Sequence, residues 1–284
     1  MYKIVYVILH YITTEDTIKC VDSIFEKEGE SNFEIVIVDN NSPNNSGEIL
    51  KEKYKTNEKI HLIVNNENLG FSKGNNVGFK YAKEKLNADF IVLLNNDVYI
   101  IQSEFGEKII NEYKKSYFAV LGPKIYLRGN TICNYPDKLD SLKQLKRQLK
   151  DKKNLFYFNK LYLRQVYSLF LKIKKIFTKK TMYDTSVRKD DVLLHGCCLI
   201  FSKTYIDKFD GLDDRTFLYF EEQLLYLRLK KNNLKSIYNP NLVVFHNEGT
   251  STNKKVKNKR DRFDFVLKHE IDSLKILINE MEQL

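Results

Sequence analysis

Short, nearly continuous apolar runs alternate with amphipathic stretches through the first third of the chain. Ile4 to Leu9 reads as a buried strand, and Thr13-Thr14-Glu15-Asp16 supplies helix-start residues. Ile18, Val21, Ile24 and Phe25 follow at helical spacing. Phe33 to Val38 predicts a second strand, ending in Asp39-Asn40-Asn41-Ser42-Pro43. Ile49, Leu50 and Tyr54 mark the next helix, and His61 to Val64 a third strand. Val77, Tyr81 and Leu86 fall on a helix before a fourth strand, Phe90 to Leu94. Strands that are apolar throughout, alternating with helices, imply an α/β fold whose parallel sheet is covered on both faces.

Polar residues gather just past each strand's carboxyl end: His10-Tyr11, Asp39-Asn40-Asn41, Asn65-Asn66 and Asn95-Asn96-Asp97. In open α/β sheets the ligand crevice lies outside those ends, so these segments are expected to converge on one cleft.

The rhythm then changes. Leu142, Leu145 and Leu149, and later Tyr162, Val166, Leu169, Ile173 and Ile176, repeat at helical spacing among lysines. Val192 to Phe201 and Leu242 to Phe245 read as strands. Phe263, Leu267, Ile271, Leu274, Ile278 and Met281 form the apolar stripe of a C-terminal helix.

Charge sharpens this division. The net charge of the 284 residues is +10, which points to an anionic partner: nucleic acid, an anionic membrane or a phosphorylated substrate. Yet Lys138 to Lys180 holds 14 basic residues against Asp140 and Asp151, so the rest of the chain carries −2. A basic insert on a near-neutral body argues against nucleic acid, which needs charge along a groove with exposed aromatics. Cys20, Cys133, Cys197 and Cys198 form no C-x-x-C pair, so they read as buried apolar side chains in a reducing compartment. The first apolar run is too short for a signal peptide, and no stretch approaches the ~20 apolar residues of a membrane span. A cytoplasmic location is expected.

Four groups carry chemistry. Asp97, at a strand end with Asn95 beside it, suits a hard divalent cation that also takes phosphate oxygens; the same Asn-Asn-Asp composition also makes a plain turn. Asn66 to Gly78 has glycines at 70, 74 and 78, not the dinucleotide spacing. These glycines admit either a ligand or a closely packed helix, and Lys73 would face a phosphate. Phe217-Leu218-Tyr219-Phe220-Glu221-Glu222 places two carboxylates after an aromatic run. They suit a general base of raised pKa, or simply acids at a helix N-terminus. His246 follows a strand and is either a metal or diphosphate ligand or a hydrogen-bonded structural residue.

In this order the four groups resemble the family 2 glycosyltransferases of GT-A fold, in the bacterial branch of rhamnosyltransferases and polysaccharide-assembly enzymes. The likeness rests on Ile35 to Ser42, Asn68-Leu69-Gly70-Phe71 through Asn76, Leu93 to Asp97, and Phe217 to Glu222. It implies a Rossmann-like, mostly parallel central sheet flanked by helices, with a basic helical insert and a C-terminal amphipathic helix. It divides one domain into a nucleotide-sugar half (1–130), the insert (131–190), a catalytic and acceptor half (191–252) and the last helix (253–284).

The resemblance also implies roles. His10, Tyr11, Asp39 and Asn41 would hold the base and ribose. Asn68, Gly70, Lys73, Asn76, Asn95 and Asn96 would line the donor. Asp97, with His246, would bind Mn²⁺ or Mg²⁺ on the diphosphate. Glu222 would be the general base, with Glu221 beside it as the other candidate. The chemistry would be inverting transfer from a UDP- or dTDP-linked sugar to a glycan or lipid-linked glycan of the cell surface. Ile12 stands where the family usually has Asn, Asn95 where the metal motif has its first acid, Glu222 where the acidic pair usually ends in Asp, and Leu224 where a further acid is usual.

Two classes compete with this reading. A non-catalytic nucleotide-sugar-binding relative would suit the altered acidic run. A nucleotidyltransferase would want a Gly-rich basic loop after the first strand, and His10-Tyr11-Ile12-Thr13 is not one. The basic insert over 138–180 reads as a solvated hairpin, as a surface for anionic lipid at the inner face of the plasma membrane, or as an oligomer interface. The C-terminal stripe reads as core cover or as a homodimer seam.

Overall fold

The computed structural model describes residues 1–133, 138–161, 183–247 and 259–283. The four expected strands are present: β1 (Ile4–His10), β2 (Phe33–Asp39), β3 (Ile60–Val64) and β4 (Phe90–Asn95), paired in parallel in the order β3-β2-β1-β4. Between them run α1 (Thr14–Glu28), α2 (Ser46–Tyr54) and α3 (Phe71–Glu84). Thr13 begins α1 without capping it: its hydroxyl instead accepts a bond from the Asn96 amide at 2.7 Å.

Beyond β4 come β5 (Val98–Ile100), α4 (Phe105–Ser116), β6 (Val120–Leu127), β7 (Thr131–Ile132), α5 (Leu142–Lys160), β8 (Lys189–Asp190), β9 (Cys198–Ser202), α6 (Lys203–Ile206), α7 (Glu221–Lys231), β10 (Ser236–His246) and α8 (Lys259–Glu282). The sheet continues from β4 through β9, β6 and β10 to β5. It is mostly parallel, but β9 runs antiparallel to both β4 and β6, and β5 antiparallel to β10. Only Cys198–Ser202 of the expected strand Val192 to Phe201 joins the sheet. The Gly196 N–H goes to the Glu222 carboxylate and the Cys197 N–H to His195 Nδ1, so neither serves a ladder.

Alternation along the strands feeds two cores. Ile4, Tyr6, Ile8, Ile35, Ile37 and Val92 face α1, α2 and α4; Val5, Val7, Val36, Val38 and Leu93 face α3, α6 and α7. Helix α3 lies close against the strands because Gly78 has no side chain: a Cβ there would stand 2.4 Å from Val7 Cγ1. The glycine spacing read in the sequence thus serves packing.

A third cluster joins α5, α7 and α8 through Leu145, Leu224, Leu227, Leu274, Leu277 and Ile278. Ser141 and Gln144 form a capping box at the start of α5. Lys152–Glu270 (2.7 Å) and Lys146–Glu282 (2.5 Å) bind α5 to α8. The C-terminal stripe is therefore covered by the chain's own α5 and α7. The expected second helix of the insert, from Tyr162 to Ile176, lies outside the described residues. Among the described residues no helix is long and apolar enough to cross a membrane.

Candidate active site

The tight turn from β4 into β5 carries Asn95, Asn96 and Asp97. The Asn95 N–H donates to the Cys197 carbonyl at 2.9 Å, and the Asp97 carbonyl accepts from the Asn247 N–H at 2.8 Å. Asp97 is therefore held between β9 and the end of β10. Its Oδ1 lies 3.2 Å from Nε2 of His246, the last residue of β10, and both residues are buried. The His195 ring lies 6.0 Å from that of His246. Burial, then the neighbouring His246, pulls the His195 pKa down to about 4. Its Nδ1 accepts the Cys197 N–H, as a neutral ring can.

The Asp97–His246 pair fits a divalent cation in part. Two ligands of one ion, each about 2.1 Å from it at near-octahedral angles, stand about 3 Å apart, as these two atoms do. Among the described residues no group of three or more His, Cys, Asp or Glu is arranged to hold a metal ion. Two protein ligands with the remaining positions left to phosphate oxygens and water is the usual arrangement for such an ion on a diphosphate.

The acidic pair opens α7 after a strained approach. Tyr219 and Phe220 have φ of 74° and 68°, a conformation that bulky side chains rarely adopt. Glu221 is 6% exposed, and its Oε1 accepts from the Thr216 hydroxyl at 3.4 Å. Burial, then repulsion from Glu222, raises its pKa to about 8. Burial likewise raises the Glu222 pKa, against the opposing pull of the Gly196 N–H. Glu222 Oε1 accepts that N–H at 3.2 Å, and a Cβ on Gly196 would stand 2.6 Å from the same oxygen. One short segment, Gly196-Cys197, thus hydrogen-bonds both the turn before Asp97 and the Glu222 carboxylate.

On the donor side, Asp39 is almost buried and its Oδ1 accepts the Ser42 hydroxyl at 2.5 Å. Asn40, given no role by sequence reasoning, organises the neighbouring loop. Its amide donates to Gly70 O (2.9 Å) and Asn68 Oδ1 (3.3 Å), while its Oδ1 accepts from Leu69 N (3.0 Å) and Asn65 (3.2 Å). Asn68 also accepts from Gly70 N at 3.0 Å and hydrogen-bonds the half-buried Tyr11. Gly70 has φ of 81° and lies against Phe217, where a Cβ would stand 2.3 Å from the carbonyl oxygen. Asn41 and Lys73 are exposed beside this loop.

Three residues expected at the donor have polar groups engaged within the fold. His10 is wholly buried, with Thr17 on Nδ1 (2.7 Å) and Ser46 on Nε2 (2.8 Å), and burial lowers its pKa to about 4 against the pull of Asp39. It braces the site from behind. Asn96 is tied to Thr13 and Thr17 (2.7 and 3.0 Å), and Asn76 makes two bonds to the Leu212 backbone (2.9 and 2.7 Å). Both amides are spent inside the fold. His195 was missed; its signal was a histidine and a glycine interrupting an apolar run.

The S. aureus protein TarS, residues 1–349 in complex with UDP-GlcNAc, superposes with a TM-score of 0.56 at 16% identity, over 95% of this chain and 65% of that one. The fold is thus that of the GT-A glycosyltransferases. The family model for glycosyl transferase family 2 matches residues 7–174, and the chain belongs to that family. Among its relatives are the low-salt glycan biosynthesis hexosyltransferase Agl10 of Haloferax volcanii, 22% identical over 71% of this chain, and the dTDP-rhamnosyl transferase RfbF of Shigella flexneri, 29% identical over 43%. The aligned regions span 54% and 41% of those two proteins, so the chain matches about half of each.

Proposed function

We propose that the protein transfers a sugar from a nucleoside-diphosphate donor to a hydroxyl of a growing cell-surface glycan, with inversion and with Mn²⁺ or Mg²⁺. The observation that carries this reading is the Gly196-Cys197 segment, hydrogen-bonded at one residue to Glu222 and at the next to the turn holding Asp97. On this reading a cation site and a proton acceptor are tethered to adjacent residues of one segment. The UDP-GlcNAc complex of TarS and the dTDP-rhamnosyl activity in the name of RfbF support UDP- and dTDP-linked sugars as donor classes.

In this mechanism Asp97 and His246 would hold the cation, which would supply charge neutralisation for the leaving diphosphate. Asn40 and Asn68 fix the loop over the donor, with Lys73 at its edge. Glu222 takes the proton from the acceptor hydroxyl as that oxygen bonds the anomeric carbon. The bond from that carbon to the diphosphate breaks, and its electron pair leaves with the nucleoside diphosphate. A carboxylate whose pKa is raised by burial, as at Glu222, is a stronger base than an exposed one. Glu222 is preferred to Glu221 because it adjoins Gly196, whereas Glu221 turns to Thr216.

The finer parts follow from the same reading. Residues 1–130 serve the donor, 191–252 the acceptor, and 131–190 and 253–284 support them. The exposed face of α5 presents Lys143, Arg147, Lys150 and Lys153, with Tyr157 61% exposed at its end. This basic, aromatic-tipped face suits anionic lipid headgroups at the inner face of the plasma membrane, near a lipid-linked acceptor.

The test is nucleotide release from UDP-sugars and dTDP-rhamnose with Mn²⁺, run beside Asp97→Ala. Metal-dependent release and donor binding, both lost in Asp97→Ala, are expected. Donor binding that ignores both metal and Asp97 would overturn the assignment.

A further inference from the structure

The loop docked over the donor side and the acidic pair are both fastened to one short segment, Phe217 to Phe220. The Phe217 carbonyl accepts the Phe71 N–H at 2.8 Å, and Gly70 lies against the same carbonyl. Four residues on, with φ positive at Tyr219 and Phe220, the chain enters α7 at Glu221. Two left-handed bulky residues in succession cost free energy and persist only where the surroundings enforce them.

The enforcement comes from one face of α8. The His269 ring stacks on Phe217, with centroids 4.5 Å apart and planes 24° from parallel. Phe265, one turn earlier, meets the Phe217 ring edge-on at 6.2 Å. The Ser273 hydroxyl, one turn later, donates to the Leu218 carbonyl at 2.7 Å. Farther along the same face Glu280 pairs with Arg215 at 2.9 Å. Residues 265, 269, 273 and 280 share a helical face by their spacing, so a single rigid element grips the segment at successive points.

We propose that α8 is a positioning element of the active site, in which His269 and Ser273 hold the strained Phe217–Phe220 turn and thereby set the donor loop at Gly70-Phe71 and the acidic pair at Glu221-Glu222 together. The proposal rests on the reading of Glu221 and Glu222 given above. His269 and Ser273 touch no reacting atom; they act through Phe217 and Leu218.

Hydrogen–deuterium exchange on the full chain tests it without any donor, so its failure is separable from failure of the sugar-transfer reading. In His269→Ala, peptides covering 68–73 and 217–224 should exchange about ten-fold faster, the scale of a lost stacked pair. Peptides over β1 should not change. Ser273→Ala should act on the same two regions, and His269→Phe, which keeps the stack, should restore wild-type exchange. Unchanged exchange in both alanine variants, acceleration spread uniformly through β1, or a His269→Phe variant no better than alanine would each overturn the proposal.

Discussion

The Glu222 carboxylate accepts the backbone N–H of Gly196 at 3.2 Å, where any side chain on residue 196 would intrude. This contact ties the acidic pair to the strand that lies beside Asp97. It also breaks β9 short, because the N–H given to Glu222 is not available to a neighbouring strand.

Gly196→Ala should therefore act on catalysis more than on folding. The added methyl, 2.6 Å from Glu222 Oε1, must displace the carboxylate. A misplacement near 1 Å costs about 10²-fold in rate. Steady-state rates alongside thermal melting would check this, with a large fall in kcat and a small shift in Tm expected.

The pH dependence should follow the acidic pair. Both carboxyls are raised by burial, and Glu221 further by Glu222. The base must be ionised, so the rate should rise with pH through a Glu222 pKa that burial holds above the ordinary carboxylate range. Burial, not Glu221, raises Glu222, so Glu221→Gln should leave the acidic limb in place. A pH–rate profile of both proteins checks this, because a base at Glu221 would lose its limb in that variant.

Ile12 has φ of 66°, a left-handed conformation in which a β-branched residue is strained. Its N–H is held by the Ser42 hydroxyl (2.9 Å) and its carbonyl by Asn44 (2.9 Å), which enforce the turn. Asn tolerates this region, and such strain is worth about 1–3 kcal/mol. Ile12→Asn should stabilise the protein by about 1 kcal/mol in urea unfolding.

Glu28 is buried under the sheet, 1% exposed, with the Tyr6 hydroxyl on its carboxylate. Burial raises its pKa above the ordinary 4.5, outweighing the Tyr6, Ser31 and Gly106 hydrogen bonds that lower it. Its folded-state pKa exceeds the unfolded one. The stability it adds is full below about 4.5 and is lost as pH rises through the raised value. Glu28→Gln should gain stability relative to wild type on going from pH 4.5 toward neutrality, measured by denaturant midpoints.

The first four strands and the cluster of polar strand ends were legible in the sequence because apolar runs and their polar termini are local signals. The rest was not local. Nothing in Val192 to Phe201 announces that its first half serves Glu222 instead of the sheet. His10 and Asn96 look like ligand-facing polar residues at strand ends, and Asn76 like one following the donor loop, yet their partners, Ser46, Thr13 and Leu212, come from distant segments. Asn40 escaped notice for the converse reason: it stands among other polar residues, and only the folded loop reveals its four bonds. The antiparallel β9 is likewise invisible to periodicity, which reports burial and not direction.

The most direct test pairs catalysis with binding in Glu222→Gln, using a sugar nucleotide that wild type turns over with Mn²⁺. Loss of general-base action is worth about 10²–10⁴-fold. Release of the nucleoside diphosphate should fall by that factor while calorimetry shows donor affinity unchanged. Undiminished release in the variant would contradict the account.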